Sequence, residues 1–325
     1  MLLPETVALL ELRQAVRAWT ATYAPGREVA VALSGGADSL ALTAAAVAEV
    51  PSVDALIVDH RLQDGSADVA RTAADQALAL GCRSATVLPV HVAPGGSLEA
   101  AARVARYRAL DDARGRVPVL LGHTLDDQAE TVLLGLARGS GGRSIQGMAA
   151  HDHPWGRPFL GSRRAVTEAA CADLGITPWS DPHNDNPEFT RVRLRHEALP
   201  LLEDILGGGV AEALARTAAQ LREDGEVLDT RSTAVLENVT VDGEVGVDTL
   251  ALEPVALRRR VLRAWLLQGG AKSLTDKQLR TIDALVTDWR GQGGVAVGGG
   301  TPEARLVVTR RRGSLVLGFE DRRRV

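Results

Sequence analysis

The sequence predicts an α/β fold: a parallel sheet covered by helices, then a helical connector and a small α+β domain. Three observations predict it. Apolar, β-rich runs alternate with helix-patterned stretches through the first half of the chain. The runs are apolar throughout, as strands covered on both faces are. Around Leu199–Gly209 (LPLLEDILGGG) a glycine break ends the alternation, and the 325-residue length suits two domains.

The strands are Glu28–Leu33, Ala55–Val58, Ser84–Val90 and Val117–Leu121; the helices between and after them are Ser39–Glu49, Ser66–Leu80, Ser97–Arg114 and Asp126–Arg138. Such βαβ units build a parallel sheet with right-handed crossovers. A helix over Val210–Leu228 follows, then two more helices and short strands near Gly294–Val297, Ala304–Thr309 and Ser314–Phe319. The division expected is 1–208, a linker at 209–230, and 231–325.

Composition narrows the function. No apolar stretch reaches the roughly 18 residues a membrane span needs, and the acidic N-terminus does not read as a signal peptide. A cytoplasmic address is expected. Cys82 and Cys171 form no CxxC pair, which argues against disulfide, zinc or iron–sulfur frameworks and fits small apolar roles in helices. The net charge of -4 conceals an asymmetry: residues 251–325 hold 15 Lys and Arg against 7 Asp and Glu. A basic segment on an acidic body points to a polyanionic partner.

Loops at strand C-terminal ends should share one crevice. The first is Ser34-Gly35-Gly36-Ala37-Asp38-Ser39. Its glycines allow a tight turn, and the following helix aims free N–H groups at the loop. This is a nest for phosphate, without the lysine of a Walker A loop. The alternative is a plain turn with Asp38 or Ser39 as N-cap. The second loop holds His60 and the third runs from Gly122 to Asp127.

Taken together, the motifs resemble the tRNA(Ile)-lysidine synthetases of the PP-loop family. SGGxDS resembles the PP-loop itself. Val58–Leu62 resembles VDHxLR; Glu99, Arg103, Arg106 and Tyr107 resemble the E-x3-R-x2-RY helix. Gly122, His123, Asp126, Asp127, Glu130 and Thr131 resemble GHHxDDxxET, continued by Arg138-Gly139-Ser140-Gly141. Arg157–Leu160 resembles RPLL; Asp181, Pro182, Asn184, Arg191, Arg195 and Pro200 resemble the family's DPSN-to-arginine tail. The likeness runs over about 28–202 and more loosely beyond 230. Gln63, Thr124, Ser144 and Val192 depart from the pattern.

The resemblance implies a Rossmann-like sheet with a PP-loop, and an ATP-dependent ligase using Mg2+. It would adenylate the wobble cytidine of the CAU-anticodon tRNA(Ile) and attach L-lysine at C2, releasing AMP and pyrophosphate. Decoding would switch from AUG to AUA and tRNA identity from Met to Ile. Ser34, Gly35, Gly36, Ala37, Asp38, Ser39 and His60 would face ATP. Asp38 and Asp127 would hold the metal, or else cap their helices, Asp126 being the better cap of its pair. Arg103 and Arg106 would meet phosphate charge. Asp127, Glu130, Arg138, Arg191 and Arg195 would receive lysine or tRNA. Tyr107 fits a stacking or a core role, and Arg310-Arg311-Arg312 an RNA or a plain surface one.

A PP-loop tRNA sulfurtransferase, a non-catalytic, ATP-sensing RNA-binding protein and a small-molecule amide synthetase with no need of tRNA are the rival readings. Sulfur transfer needs reactive cysteines. Replacing Cys82 and Cys171 by Ser should therefore leave ATP- and lysine-dependent turnover intact, measured as AMP release; loss of turnover would favour the thiol chemistry.

Overall fold

The computed structural model describes residues 4–61, 65–91, 98–139, 141–181 and 186–322, with the backbone alone for 98 and 99. Leu62, Gln63, Ser140, Pro182 and Asn184, and the side chain of Glu99, lie outside this description. Contacts divide the chain into one unit of 1–134 with 147–217 and another of 135–146 with 218–325. The expected boundary at 208 lies just before a single helix, Val210–Val239 (α9), and the one at 230 falls within that helix.

The first unit contains a six-stranded sheet in the order β3-β2-β1-β4-β6-β5. Its strands are Val29–Ala32 (β1), Val53–Asp59 (β2), Ser84–Pro89 (β3) and Val119–Leu121 (β4), with Trp155–Gly156 (β6) and His151–Asp152 (β5) beyond. Pairing is parallel except between β5 and β6. The chain leaves β1 toward β2 and β3, then crosses back to lay β4 on the other side of β1. This reversal opens a crevice beyond the C-terminal ends of β1 and β4.

Helices cover both faces. On one lie Val7–Tyr23 (α1), Ala37–Glu49 (α2), Ser66–Leu80 (α3) and Arg164–Asp173 (α6). Leu9, Leu12, Val16 and Trp19 of α1 pack there with Val29, Val31, Leu40 and Phe159. Their spacing, three and four apart, is a helical apolar stripe, and Thr6 caps the helix by accepting from Leu9 N–H. On the other face Leu98–Ala113 (α4) adds Leu110 to Ala30, Leu56, Val119 and Leu121. Tyr107 of α4 packs partly buried at that core, edge-on to Trp155 with ring centroids 4.7 Å apart.

Leu125–Arg138 (α5) follows β4. Further on, Arg191, Arg193 and Arg195, which alternate with Val192 and Leu194, lie on helical backbone. Thr190–Arg193 (α7) runs through one wide turn, where Leu199 N–H bonds to the Leu194 carbonyl, into Leu199–Leu206 (α8). Arg193 therefore faces Glu197, four residues on, while Arg191 and Arg195 share another side. Cys82 and Cys171 are both buried. Cys171 sits in α6, whereas Cys82 follows the end of α3 rather than lying in a helix.

The second unit holds a five-stranded sheet, β7-β8-β11-β10-β9, entirely antiparallel. Its strands are Thr240–Val241 (β7), Glu244–Gly246 (β8), Val295–Val297 (β9), Ala304–Arg311 (β10) and Ser314–Asp321 (β11). Helices Val247–Ala251 (α10), Val255–Gln268 (α11) and Asp276–Thr287 (α12) accompany it. Val261, Leu262, Trp265 and Leu266 of α11 meet Ile282 and Leu285 of α12 and the strand residues Val308 and Leu315. Thr275 and Gln278 form a reciprocal capping box at the start of α12. Asp283 is buried there between Arg258 and Arg259.

Candidate active site

The loop after β1 is shaped by its own side chains. Gly35 adopts φ +84°, a conformation that costs glycine little. Ser39 Oγ accepts from Ser34 N–H at 3.2 Å and donates to the Gly36 carbonyl at 2.9 Å. Ser34 Oγ lies 3.1 Å from Ser39 Oγ. Ser39 is buried, so its hydroxyl is committed to the turn. From outside, Trp179 N–H bonds to the Gly35 carbonyl at 2.9 Å. Gly36 is the N-cap of α2, in extended backbone. The first-turn amides of α2 have no carbonyl of their own helix to reach, and their dipole end is positive.

Asp38 is not the cap of α2. It stands one position inside the helix, and its carboxylate reaches across to α6. Thr167 Oγ1 donates to Asp38 Oδ1, and Arg164 Nε donates to Asp38 Oδ2 at 3.2 Å. Asp127 does take a capping role, though not as N-cap residue: its Oδ2 accepts from Thr124 N–H at 2.8 Å and from Thr124 Oγ1 at 3.0 Å. Thr124, a departure from the family pattern, is thus built into the start of α5. Asp126 instead receives Arg164 N–H at 2.7 Å, tying down the start of α6.

Two loops distant in sequence meet here. A Cβ placed on Gly122 would lie 3.0 Å from the carbonyl carbon and oxygen of Asp38 and 3.1 Å from Ser39 N. Only a residue without a side chain lets the β4 loop approach α2 this closely. Asp38 and Asp127 consequently share one guanidinium: Arg164 Nη2 donates to Asp127 Oδ1 at 2.7 Å, and its Nη1 lies 3.8 Å from Glu130 Oε1.

Glu130 is 0% exposed. Arg195 Nε donates to its Oε1 at 2.8 Å, and Arg191 Nη1 lies 3.8 Å from its Oε2. Arg195 Nη2 also reaches Asp127 Oδ1 at 3.4 Å. Burial raises the pKa of Asp38 against the pull of Arg164 and Thr167, and raises that of Glu130 against Arg195. At Asp127 burial also disfavours the charge, but Arg164 and the Thr124 N–H outweigh it and the pKa falls. Neighbouring carboxylates are therefore held at different proton affinities, a pattern common at functional sites.

His60, His123, Arg103 and Arg106 form the flank beyond β2 and β4. Burial lowers the pKa of both histidines, His123 to about 4, and the Arg106 charge lowers both further. Among the described residues, His60 Nδ1, His123 Nδ1 and Arg106 Nε are buried without a hydrogen-bond partner. Arg103 Nη2 donates to Tyr107 Oη at 3.4 Å, and its guanidinium lies 5.0 Å from the Tyr107 ring centre.

Arg138 is exposed at the last position of α5, within the second unit. In that unit Arg310 is structural: Nη1 donates to the Leu285 carbonyl at 2.8 Å, and the guanidinium lies 5.3 Å from the Trp289 ring centre. Arg311 and Arg312 sit exposed where β10 turns into β11. No helix among the described residues is long and apolar enough to cross a membrane.

Arg164, Arg163 and Thr167 escape a reading of the motifs. One local signal marks the arginines. Two cations open a helix at its positive dipole end, where charge of that sign is unfavourable. Such a conflict asks for a tertiary partner. Arg163 finds Asp126 at 3.5 Å, Glu203 at 3.7 Å and Glu212 at 3.5 Å.

Comparison with known proteins agrees with this geometry. Residues 8–202 match a PP-loop domain model, and residues 247–316 match a TilS substrate binding domain model. A tRNA(Ile)-lysidine synthase of Rhodococcus erythropolis is 81% identical over all 325 residues, covering 100% of both chains. One of Mycobacterium tuberculosis is 61% identical over 294 residues, 89% of this chain and 90% of the relative. Among solved structures, the U34-tRNA thiolase NcsA of Methanococcus maripaludis matches with a TM-score of 0.54 at 17% identity, over 66% of this chain and 80% of that one. That likeness is one of fold. From the PP-loop before α2, the carboxylates of α5 and full-length identity of this order, the chain belongs to the tRNA(Ile)-lysidine synthase family of PP-loop, ATP-using ligases.

Proposed function

We propose that the chain adenylates the C2 carbonyl oxygen of the wobble cytidine in a CAU-anticodon isoleucine tRNA and then joins L-lysine there, in the cytoplasm. The observation that carries this is the sharing of one guanidinium by Asp38 of the PP-loop helix and Asp127 of α5. ATP chemistry and amine capture can then occur in one place. An amide-like oxygen leaves poorly and AMP leaves well, which is why the cytidine oxygen is activated first.

The amides of Gly36 to Ser39 would hold the pyrophosphate end of ATP. Asp38 and Asp127 suit Mg2+. They are hard oxygen donors, already spaced around a cationic group, and Mg2+ commonly takes one or two carboxylates with phosphate oxygens completing its shell. Among the described residues no three His, Cys, Asp or Glu side chains converge on a metal position, so phosphate and water would have to supply the rest. When bound, the ion would neutralise charge on the departing pyrophosphate. Arg103 and Arg106 would meet the phosphates from the opposite flank, and His60 and His123 would stand near the nucleotide as neutral hydrogen-bonding groups.

Lysine fits the ground behind Glu130. A cavity of about 280 Å3 there is lined by Asp126, Glu130 and Glu203, by Arg163 and Arg195, and by Leu199 and Pro200. Carboxylates, arginines and an apolar wall match a diamino acid with an aliphatic stem. Arg191 and Arg195 would hold Glu130 toward the substrate. Arg138, Arg311 and Arg312 would contact tRNA phosphates.

Sulfur transfer finds less support. Burial pushes the thiols of Cys82 and Cys171 up to about 11, so neither is a ready thiolate.

Two outcomes are expected. Asp38→Asn should abolish AMP release, followed by chromatography of labelled ATP, while tRNA affinity stays within a few-fold; near-normal turnover would remove the metal assignment. Arg311→Gln with Arg312→Gln should weaken tRNA binding at low salt and reduce the slope of log affinity against log salt by about 1.5, at roughly 0.7–0.9 per lost phosphate contact. An unchanged slope would place the RNA surface elsewhere.

A further inference from the structure

Arg164 has more to do than balance charge. Its guanidinium reaches Asp38 through Nε at 3.2 Å and Asp127 through Nη2 at 2.7 Å, with Glu130 3.8 Å from Nη1. The side chain is 18% exposed, and the three carboxylates are 24%, 13% and 0% exposed. The arginine is itself tightly set. Its backbone N–H is held by Asp126 at 2.7 Å, and Thr167, one turn on in α6, holds the other oxygen of Asp38.

The cluster is neutral as it stands. Asp38, Asp127 and Glu130 bring three negative charges; Arg164, Arg195 and Arg191 bring three positive ones. Adding a divalent cation alone would leave two uncompensated positive charges at a largely buried place, which is costly. Geometry opposes it too. Oxygens spread at hydrogen-bond distance around a guanidinium must close in to share an ion at roughly 2.0–2.1 Å. A triphosphate arriving with the cation removes both obstacles. It brings negative charge, and it gives the displaced guanidinium oxygens to fork onto.

We propose that Arg164 is a resident counter-ion standing in the metal's place between Asp38 and Asp127, so that divalent cation and nucleotide bind only together. On arrival of both, Arg164 leaves the carboxylates and turns to phosphate oxygens. It is a positioning residue that keeps the carboxylates apart and charged in the empty chain, and ties metal occupancy to the presence of ATP. This rests on the assignment of Asp38 and Asp127 as metal ligands.

Mn2+ binding, read by the loss of its free electron paramagnetic resonance signal, tests this without any turnover. The probe nucleotide is α,β-methylene ATP, which cannot release pyrophosphate. The unaltered chain should bind Mn2+ weakly alone and at least tenfold more tightly with the nucleotide. Arg164→Met should bind Mn2+ at least tenfold more tightly than the unaltered chain when nucleotide is absent, and Arg164→Lys should keep the unaltered chain's nucleotide dependence. The gain in Arg164→Met should vanish when Asp38→Asn is added.

If Arg164→Met binds Mn2+ within twofold of the unaltered chain, the counter-ion role is overturned while the metal assignment stands. If the nucleotide-dependent Mn2+ site survives in Asp38→Asn alone, the metal assignment fails and takes the proposal with it. Should the methionine variant not fold, a crystal structure of the unaltered chain with Mg2+ and α,β-methylene ATP decides. Separation of Arg164 Nε from Asp38 Oδ2 is the expected result; a retained 3.2 Å contact beside a bound ion overturns the proposal.

Discussion

Carboxylates buried as deeply as Glu130 and Asp127 are tolerated only because arginines lie against them. Breaking one partner out of such a pair typically costs about 3–5 kcal/mol. Here the pairing also fixes geometry. Asp38 comes from α2, Asp127 and Glu130 from α5, Arg164 from α6 and Arg195 from the wide turn before α8, so one ionic cluster gathers four segments of the first unit. The site and the stability of its surroundings are therefore hard to separate, and any substitution in the cluster acts on both.

The backbone makes the gathering possible. The order of the strands reverses at β1, with β4 laid parallel on its other side, so their C-terminal loops leave side by side. Gly122 then permits backbone contact with the start of α2. The amides at that end carry the positive end of the helix dipole, and the carboxylates of Asp38, Asp127 and Glu130 lie close by. A positive dipole end and a group of carboxylates thus stand within a turn or two of each other.

Much of this was legible in the residues alone. The four central strands and helices α2 to α5 follow from unbroken apolar runs and helical spacing, and the Ser34–Ser39 loop follows from glycines between such elements. The pairing of Asp127 with Glu130 on one side of α5 follows from their spacing of three. Other features were not so legible. The sequence leaves the partners of the arginines at 191–195 open; on helical backbone Arg191 and Arg195 meet Glu130 and Arg193 meets Glu197. Arg164 carries no motif; its role comes from tertiary placement of a helix start that local electrostatics disfavours. Arg310 looked like part of a basic surface, and instead closes the end of α12. Helix α1 could have been found from its Thr6 cap and its apolar stripe at Leu9, Leu12, Val16 and Trp19.

The central claim is that one crevice couples ATP cleavage to lysine transfer. It is tested most directly by supplying purified protein with Mg2+, doubly labelled ATP and lysine, and a CAU-anticodon isoleucine tRNA transcript, and counting both products. The account requires one lysine fixed in the tRNA for each AMP released, and neither product when the transcript is omitted. AMP formed without lysine incorporation, or lysine incorporated without ATP, would contradict it.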